Sequence, residues 1–248
     1  MYKGIKLRVL QGEPAIKNIR EARTPELFRG RPELDESKCQ EGCSECADAC
    51  PSNAIELNPL SIDLGRCTFC PACESACPQG AIKFTSDFRL ASSSREKLVV
   101  KTGIKEIRPE AASKMIKKYF GHSLKLRSVS AAGCNGCELE LNALGNVNFD
   151  MGRYGIDFVA SPRHADGIVI TGPISNEMAQ PLLEAYEAVP EPKIVILSGS
   201  CAISGGIFEG SPSLNRSFLN DHKIDLYIPG CPPHPLTFIS GLLDWLER

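Results

Sequence analysis

At 248 residues, with 42% hydrophobic and 23% charged residues, the chain has the composition of a folded globular protein rather than a disordered one. Its net charge of -2 supplies no bulk attraction for nucleic acid, and no apolar run approaches the ~20 residues that a bilayer span requires. The opening MYKGIKLRVLQGEP lacks the apolar stretch of a secretory signal, so a cytoplasmic location is expected. In a reducing compartment twelve cysteines point to metal binding rather than to disulfides.

Residues 1–30 are assigned to an N-terminal extension. Within 31–90 two cysteine runs follow: Cys39, Cys43, Cys46 and Cys50-Pro51, then Cys67, Cys70, Cys73 and Cys77-Pro78. Cys43, Cys46, Cys50, Pro51 and Ala54-Ile55 recur 27 positions later as Cys70, Cys73, Cys77, Pro78 and Ala81-Ile82, an internal duplication in which only Cys39 is out of phase, by one residue. The second copy matches the bacterial ferredoxin pattern C-x2-C-x2-C-x3-C-P, where three thiolates hold one 4Fe-4S cubane and the fourth reaches the neighbouring cluster. By that resemblance cluster one takes Cys39, Cys43, Cys46 and Cys77, and cluster two takes Cys67, Cys70, Cys73 and Cys50. The extra residue between Cys39 and Cys43 leaves open a three-iron first cluster with Cys39 as a bystander. Zinc is the other alternative, disfavoured because zinc sites use separated C-x2-C pairs. Ala54 to Leu57 and Ala81 to Phe84 read as strands, with Asn58 to Ser61 as a turn. So small a β/α module cannot bury much apolar surface, and the clusters would act as its staples.

Residues 91–122 read as a linker. Ser92-Ser93-Ser94 opens a polar, lysine-rich stretch, and after Pro109 the residues Ala112, Met115, Ile116, Tyr119 and Phe120 recur at helical spacing up to Gly121. Lys114, Lys117 and Lys118 occupy the other face, so the helix is basic and amphipathic. Such a helix suits an anionic membrane surface or a partner, and a solvated lysine face over an ordinary buried stripe is the commoner reading.

The remaining residues, 123–248, alternate strand and helix patterns. Leu124 to Ser130, Asp157 to Ala160, Gly167 to Thr171, Lys193 to Leu197 and Asp225 to Ile228 are strand candidates; Glu138 to Asn146, Asn176 to Ala188 and Pro235 to Leu246 are helical. The prediction is an α/β protein: a dicluster ferredoxin-like β/α module followed by a flavodoxin-like parallel-sheet domain. Cys134, Cys137, Cys201 and Cys231 follow strand candidates, where open parallel sheets gather their ligands, and adjacent glycines would allow close approach to a cluster. Eight plus four cysteines account for all twelve and suffice for three 4Fe-4S clusters.

The stretch Gly133-Cys-Asn-Gly-Cys-Glu-Leu-Glu140, with Ser161-Pro-Arg-His-Ala-Asp166, Pro190-Glu-Pro-Lys193, Gly199-Ser-Cys-Ala-Ile-Ser-Gly-Gly206 and Tyr227-Ile-Pro-Gly-Cys-Pro-Pro233, resembles the small subunit of membrane-bound group 4 nickel-iron hydrogenases, of which the formate hydrogenlyase small subunit is one. It also resembles the 20 kDa subunit of respiratory complex I. Complex I subunits place their first two ligands side by side, whereas two residues separate Cys134 from Cys137, as in the hydrogenases. The resemblance implies an electron-transfer iron-sulfur subunit, an oxidoreductase component whose catalytic centre lies on a partner chain, with Cys134, Cys137, Cys201 and Cys231 holding the proximal 4Fe-4S cluster. Its implied partners are a nickel-iron hydrogenase large subunit, membrane-arm subunits of the same complex, and a donor or acceptor such as formate dehydrogenase or ferredoxin; its implied place is the cytoplasmic face of the inner membrane. Glu140, Arg163, His164 and Asp166 lie in family motifs and are candidates for contacts around that cluster; a helix N-terminus and a loop-ordering network are their ordinary alternatives. His222 is read as solvated and His234 as a packed loop residue. Two other functions stay open: a nickel-free complex I-like quinone or sulfur oxidoreductase, and a stand-alone polyferredoxin.

Overall fold

The architecture is described from a computed structural model covering residues 2–12 and 15–248. Helix α1 (Tyr2–Gln11) leads into a short 3-10 turn, Ile19–Glu21, whose Asn18 side chain accepts from the Arg20 amide. Strand β1 (Pro32–Leu34), helix α2 (Glu45–Asp48), strands β2 (Ile55–Leu57) and β3 (Leu60–Asp63), helix α3 (Ala72–Ala76) and strand β4 (Ile82–Phe84) follow. The two strands that succeed the Cys-Pro steps do not pair with each other. Strand β4 pairs antiparallel with β1, and β2 pairs with β3. The expected turn at Asn58 to Ser61 is shorter than the sequence suggests, because Leu60 and Ile62 are fully buried and draw Leu60–Asp63 into a strand, leaving Asn58-Pro59 between the two strands.

The stretch expected as a linker contributes structure to both sides. Strand β5 (Val99–Lys101) adds to the β2–β3 hairpin, and Ser92 exchanges backbone hydrogen bonds with Tyr227 at 2.8 and 3.0 Å. Helix α4 (Lys114–Phe120) begins later than Pro109 suggests: Ser113 caps it by accepting from the Ile116 amide, and Gly121 closes it. Its buried stripe is Ala112, Ile116 and Phe120, while Met115 and Tyr119 stand exposed. Lys117 pairs with Glu247 rather than facing open solvent.

The C-terminal domain runs β6 (Leu124–Ser130), α5 (Gly136–Ala143), β7 (Ile156–Phe158), β8 (Gly167–Thr171), α6 (Asn176–Glu187), β9 (Ile194–Ser198), α7 (Ser200–Ser204), α8 (Ser217–Asp221), β10 (Leu226–Ile228) and α9 (Pro235–Leu246). All pairings in its five-stranded sheet are parallel, in the order β10-β9-β8-β6-β7. Numbered within the sheet this is 2-1-3-4-5, the order of the flavodoxin-like class expected for this domain. Strands β8 and β9 are buried along their whole length, as a sheet covered on both faces requires.

Side-chain alternation divides this sheet between two cores. Leu124, Leu126, Val169, Ile194 and Ile196 face one side, with α9, α4 and Ile19 of the N-terminal segment. Val129, Ile168, Ile170, Val195 and Leu197 face the other, in one continuous cluster with Leu60, Ile62, Leu64 and Leu98 of the ferredoxin module. The two modules therefore share a core. At the seam Arg95 grips Asp63 with two hydrogen bonds, of 2.7 and 2.5 Å, in the fork geometry that makes such pairs strong. Replacing Arg95 with Ala should cost about 1–3 kcal/mol. Urea unfolding of the anaerobically prepared chain measures it, and an unchanged midpoint would remove Arg95 from the seam's stabilising contacts.

Candidate metal centres

The duplication seen in the sequence is also a duplication of backbone shape. Asn53 and Gly80, 27 residues apart, both take left-handed conformations with φ of +49° and +60°. Each lets the chain fold back so that an amide donates to the preceding cysteine: Ala54 N to Cys50 Sγ at 3.3 Å, and Ala81 N to Cys77 Sγ at 3.2 Å. A second such pair is Gly42 at +77° and Phe69 at +54°. Phe69 lacks glycine's freedom, and its conformation is held from outside: its ring packs against Phe84, its carbonyl accepts from Arg29 Nε at 2.6 Å, and its amide donates to Cys67 Sγ at 3.2 Å. Amide donors aimed at sulfur favour the charged thiolate, the form that binds iron.

Folding brings the cysteines into three sets. Cys39, Cys43, Cys46 and Cys77 line one recess with the apolar side chains of Leu57, Leu60, Pro78 and Ile82. The out-of-phase Cys39 reaches this recess, where the charge of Cys77 acts on it. Cys50 joins Cys67, Cys70 and Cys73 in a second set, so the last cysteine of each run crosses to the other run's group. In the third set Cys137 feels Cys201, Cys231 and Cys134 together. The last three sit beyond the carboxyl ends of β9, β10 and β6 respectively.

Burial, reinforced by neighbouring sulfur charges, pushes the Cys67 and Cys137 thiols up to about 12 and those of Cys73 and Cys201 up to about 11. Groups held neutral by such surroundings ionise in place only with a compensating cation, a charge that iron would supply. Among the described residues no three His, Cys, Asp or Glu side chains surround the position of a single metal ion.

Glycines shape the third set. A Cβ on Gly199, whose φ is +97°, would lie 2.6 Å from Cys137 Sγ, and one on Gly206 would lie 3.0 Å from Cys201 Sγ. Arg216 braces α7 from beneath, donating to the carbonyls of Cys201, Ala202 and Ile203 and to Pro173 at 2.8 to 3.1 Å. Sequence reasoning missed this arginine, which carries no motif, as it missed helices α7 and α8. These donors and this clearance fit an iron-sulfur cluster at each set.

Not every candidate side chain joins the thiols. Glu140 lies on α5, one turn past Cys137, with its carboxyl pushed upward by burial. Beside it, Glu138 accepts a hydrogen bond from Thr171 Oγ1. Arg163 and His164 are exposed in a 3-10 turn before β8, at the amino end of the strand. The third set follows the carboxyl ends of β6, β9 and β10, at the other end of the parallel sheet. Asp166 orders that amino edge by accepting from the Lys125 amide at 2.6 Å. His222 is stacked on Phe218, with ring centroids 4.1 Å apart, rather than solvated. His234 caps α9 by accepting from the Leu236 amide and lies between Phe28 and Phe149.

Comparison with known proteins adds the following. The description "4Fe-4S dicluster domain" matches residues 38–81, and "NADH ubiquinone oxidoreductase, 20 Kd subunit" matches residues 134–245. The probable membrane-bound hydrogenase subunit mbhJ of Pyrococcus furiosus is 37% identical over 131 residues, 53% of this chain and 78% of that protein. Formate hydrogenlyase subunit 7 of Escherichia coli is 43% identical over 124 residues, 50% of this chain; the match spans about half of that protein, 49%. A chain of the membrane-bound sulfane sulfur reductase, an archaeal respiratory membrane complex, aligns with a TM-score of 0.47 at 30% identity, covering 54% of this chain and 73% of that one.

Replacing Gly199 with Ala should empty the third set alone, lowering iron by about four per chain and leaving the two ferredoxin sets loaded. Iron and sulfide assays after anaerobic reconstitution check this, and an unchanged iron content would mean that the glycine is not there to clear the sulfur.

Proposed function

Because the chain belongs to the family of the NADH ubiquinone oxidoreductase 20 kDa subunit and carries a 4Fe-4S dicluster segment ahead of that domain, we propose that it is the electron-transfer subunit of a group 4 nickel-iron hydrogenase of the formate hydrogenlyase kind. In this reading residues 31–90 and 123–248 are the two cluster-bearing domains, tied by 91–122 and preceded by the extension 1–30. Cys39, Cys43, Cys46 and Cys77 hold the first 4Fe-4S cluster, Cys67, Cys70, Cys73 and Cys50 the second, and Cys134, Cys137, Cys201 and Cys231 the third. Bound there, the clusters supply one-electron carriers. The chain's own residues supply the thiolates, amide donors to sulfur, and apolar walls that keep water from the middle of the path.

The observation that carries this reading is the surface around the third set. Cys134 and Cys231 are exposed, and Leu139, Ile207 and Phe208 stand exposed on the same domain. Phe208 comes within 3.8 Å of where a Cβ on Gly133 would lie, beside Cys134. A free-standing carrier gains nothing from leaving apolar side chains in water around a redox centre, whereas a subunit docked there buries them. The partner proposed for this face is the nickel-iron large subunit, and the two-residue spacing of Cys134 and Cys137 favours it over a nickel-free complex I-like partner. The membrane-arm subunits, and a donor or acceptor such as formate dehydrogenase or ferredoxin, belong to the same proposal. Among the described residues no helix is long and apolar enough to cross a membrane, so attachment to the cytoplasmic face would come through those subunits.

The test is anaerobic purification of the native complex, with iron and nickel measured and hydrogen evolution assayed from a reduced viologen. About twelve irons per copy of this chain, with nickel on a co-purifying large chain and hydrogen produced, is the expected result. A nickel-free complex that reduces a quinone or sulfur compound would overturn the hydrogenase reading in favour of the complex I-like one. Replacing Leu139 with Glu should release the large chain while leaving iron content intact, and retention of a stoichiometric complex would mean that this face is not the docking surface.

A further inference from the structure

The loops that carry the second and third thiol sets meet at one side chain. Ser200 is 1% exposed and opens α7 immediately before Cys201. Its hydroxyl donates to the Cys67 carbonyl at 2.6 Å, with the Gly230 carbonyl also within reach at 3.1 Å, and its amide donates to Gly230 at 2.9 Å. Cys67 belongs to the second set, and Cys201 and Cys231, which Gly230 precedes, belong to the third. Ser200 thus touches backbone from two ligand loops while sitting in a third.

The rest of the seam holds this contact in place. Arg66 pairs with Glu209 at 2.8 Å. Gly65 leaves so little room that a Cβ there would come within 2.7 Å of Ile203 and 2.8 Å of the Arg95 guanidinium. Cys70 and Cys231 line one recess, so the two sets are neighbours here.

We propose that Ser200 is a positioning residue that fixes the spacing of the second and third sets and completes a bonded route between them. The route runs from the Cys67 carbonyl through one hydrogen bond to the Ser200 hydroxyl, and through one peptide bond to Cys201. The event it serves moves a single electron from the iron of one set to the iron of the other; no bond forms or breaks, and the hydroxyl proton stays on Ser200. The inference rests on the reading that both sets hold iron-sulfur clusters. Serine is suited to the place because it is small enough for the seam and presents a donor to a buried carbonyl, which alanine lacks and the weak thiol donor of cysteine serves poorly.

The experiment uses the full chain, reconstituted anaerobically, as wild type, Ser200→Ala and Ser200→Cys. Iron content, magnetic interaction between the reduced second and third sets, and the rate of electron equilibration after rapid reduction are read in each. Loss of the hydrogen bond lets the loops populate displaced arrangements, so equilibration should slow about fivefold in both variants while iron content holds. The magnetic interaction should weaken in parallel, a change that a purely structural residue would not produce at full iron loading. An unchanged rate with iron intact would overturn the proposal, and so would loss of iron from either set in both variants, which would make Ser200 a folding residue. A wild-type chain that fails to load its third set would remove the functional reading itself, and that outcome is seen before any variant is compared.

Discussion

Everything in this molecule turns on the repulsion among sulfur donors gathered in fours, several of them away from water. Buried thiols such as Cys67 and Cys137 resist ionisation, and their neighbours' charges add to that resistance. A positively charged core would hold them as thiolates. The local devices make sense as responses to this constraint: amides turned toward Cys50, Cys67 and Cys77, left-handed residues that turn them, and glycines that keep side chains off Cys137 and Cys201. Because those devices are geometric, they survive duplication. Asn53 and Gly80 do the same work with different side chains, since both tolerate positive φ.

A second consequence concerns how the modules are joined. A ferredoxin unit of this size buries little apolar surface by itself. Here it does not stand by itself, because Leu60, Ile62 and Leu98 continue into the cluster formed by Ile168, Ile170 and Leu197 of the parallel sheet. Strand β5 and the Ser92–Tyr227 bridge arise from the stretch between the modules, and they stitch each to the other. Cluster-bearing loops anchored on a shared core keep their spacing without relying on the docking of separate chains.

The sequence made the chemistry more legible than the packing. Cysteine spacing exposed the duplication, and alternating apolar runs exposed the parallel sheet, because both are short-range patterns tied directly to backbone period. What escaped was decided at long range. Strand β3 overlaps the turn expected at Asn58 to Ser61 in Leu60 and Ser61, because burial of Leu60 and Ile62 depends on partners distant in sequence. The start of α4 was misjudged because Pro109 is a stronger textual signal than Ser113, although the hydroxyl of Ser113 is what satisfies the first turn. Arg163 and His164 lie in a motif, and a motif says nothing about which end of a strand it occupies. Arg216 and Ser200 had no signal at all: an arginine bracing carbonyls and a serine crossing a seam are recognisable only once the seam exists.

Exposure along the three sets gives the arrangement a direction. In the first set Cys39 is exposed; in the second Cys67 and Cys73 are buried while Cys50 and Cys70 are half-buried; in the third Cys134 and Cys231 are exposed again. A chain built only to store iron would have no reason to bury the middle and open both ends. A chain built to pass electrons does, because each end must come close to a partner, while water at the centre would add reorganisation and invite loss to oxidants. The low surrounding polarity that makes the second set hard to ionise is the same property that insulates it. Stability, insulation and placement of the carriers are therefore one requirement met once, at the seam where the loops of Cys67, Cys201 and Cys231 converge.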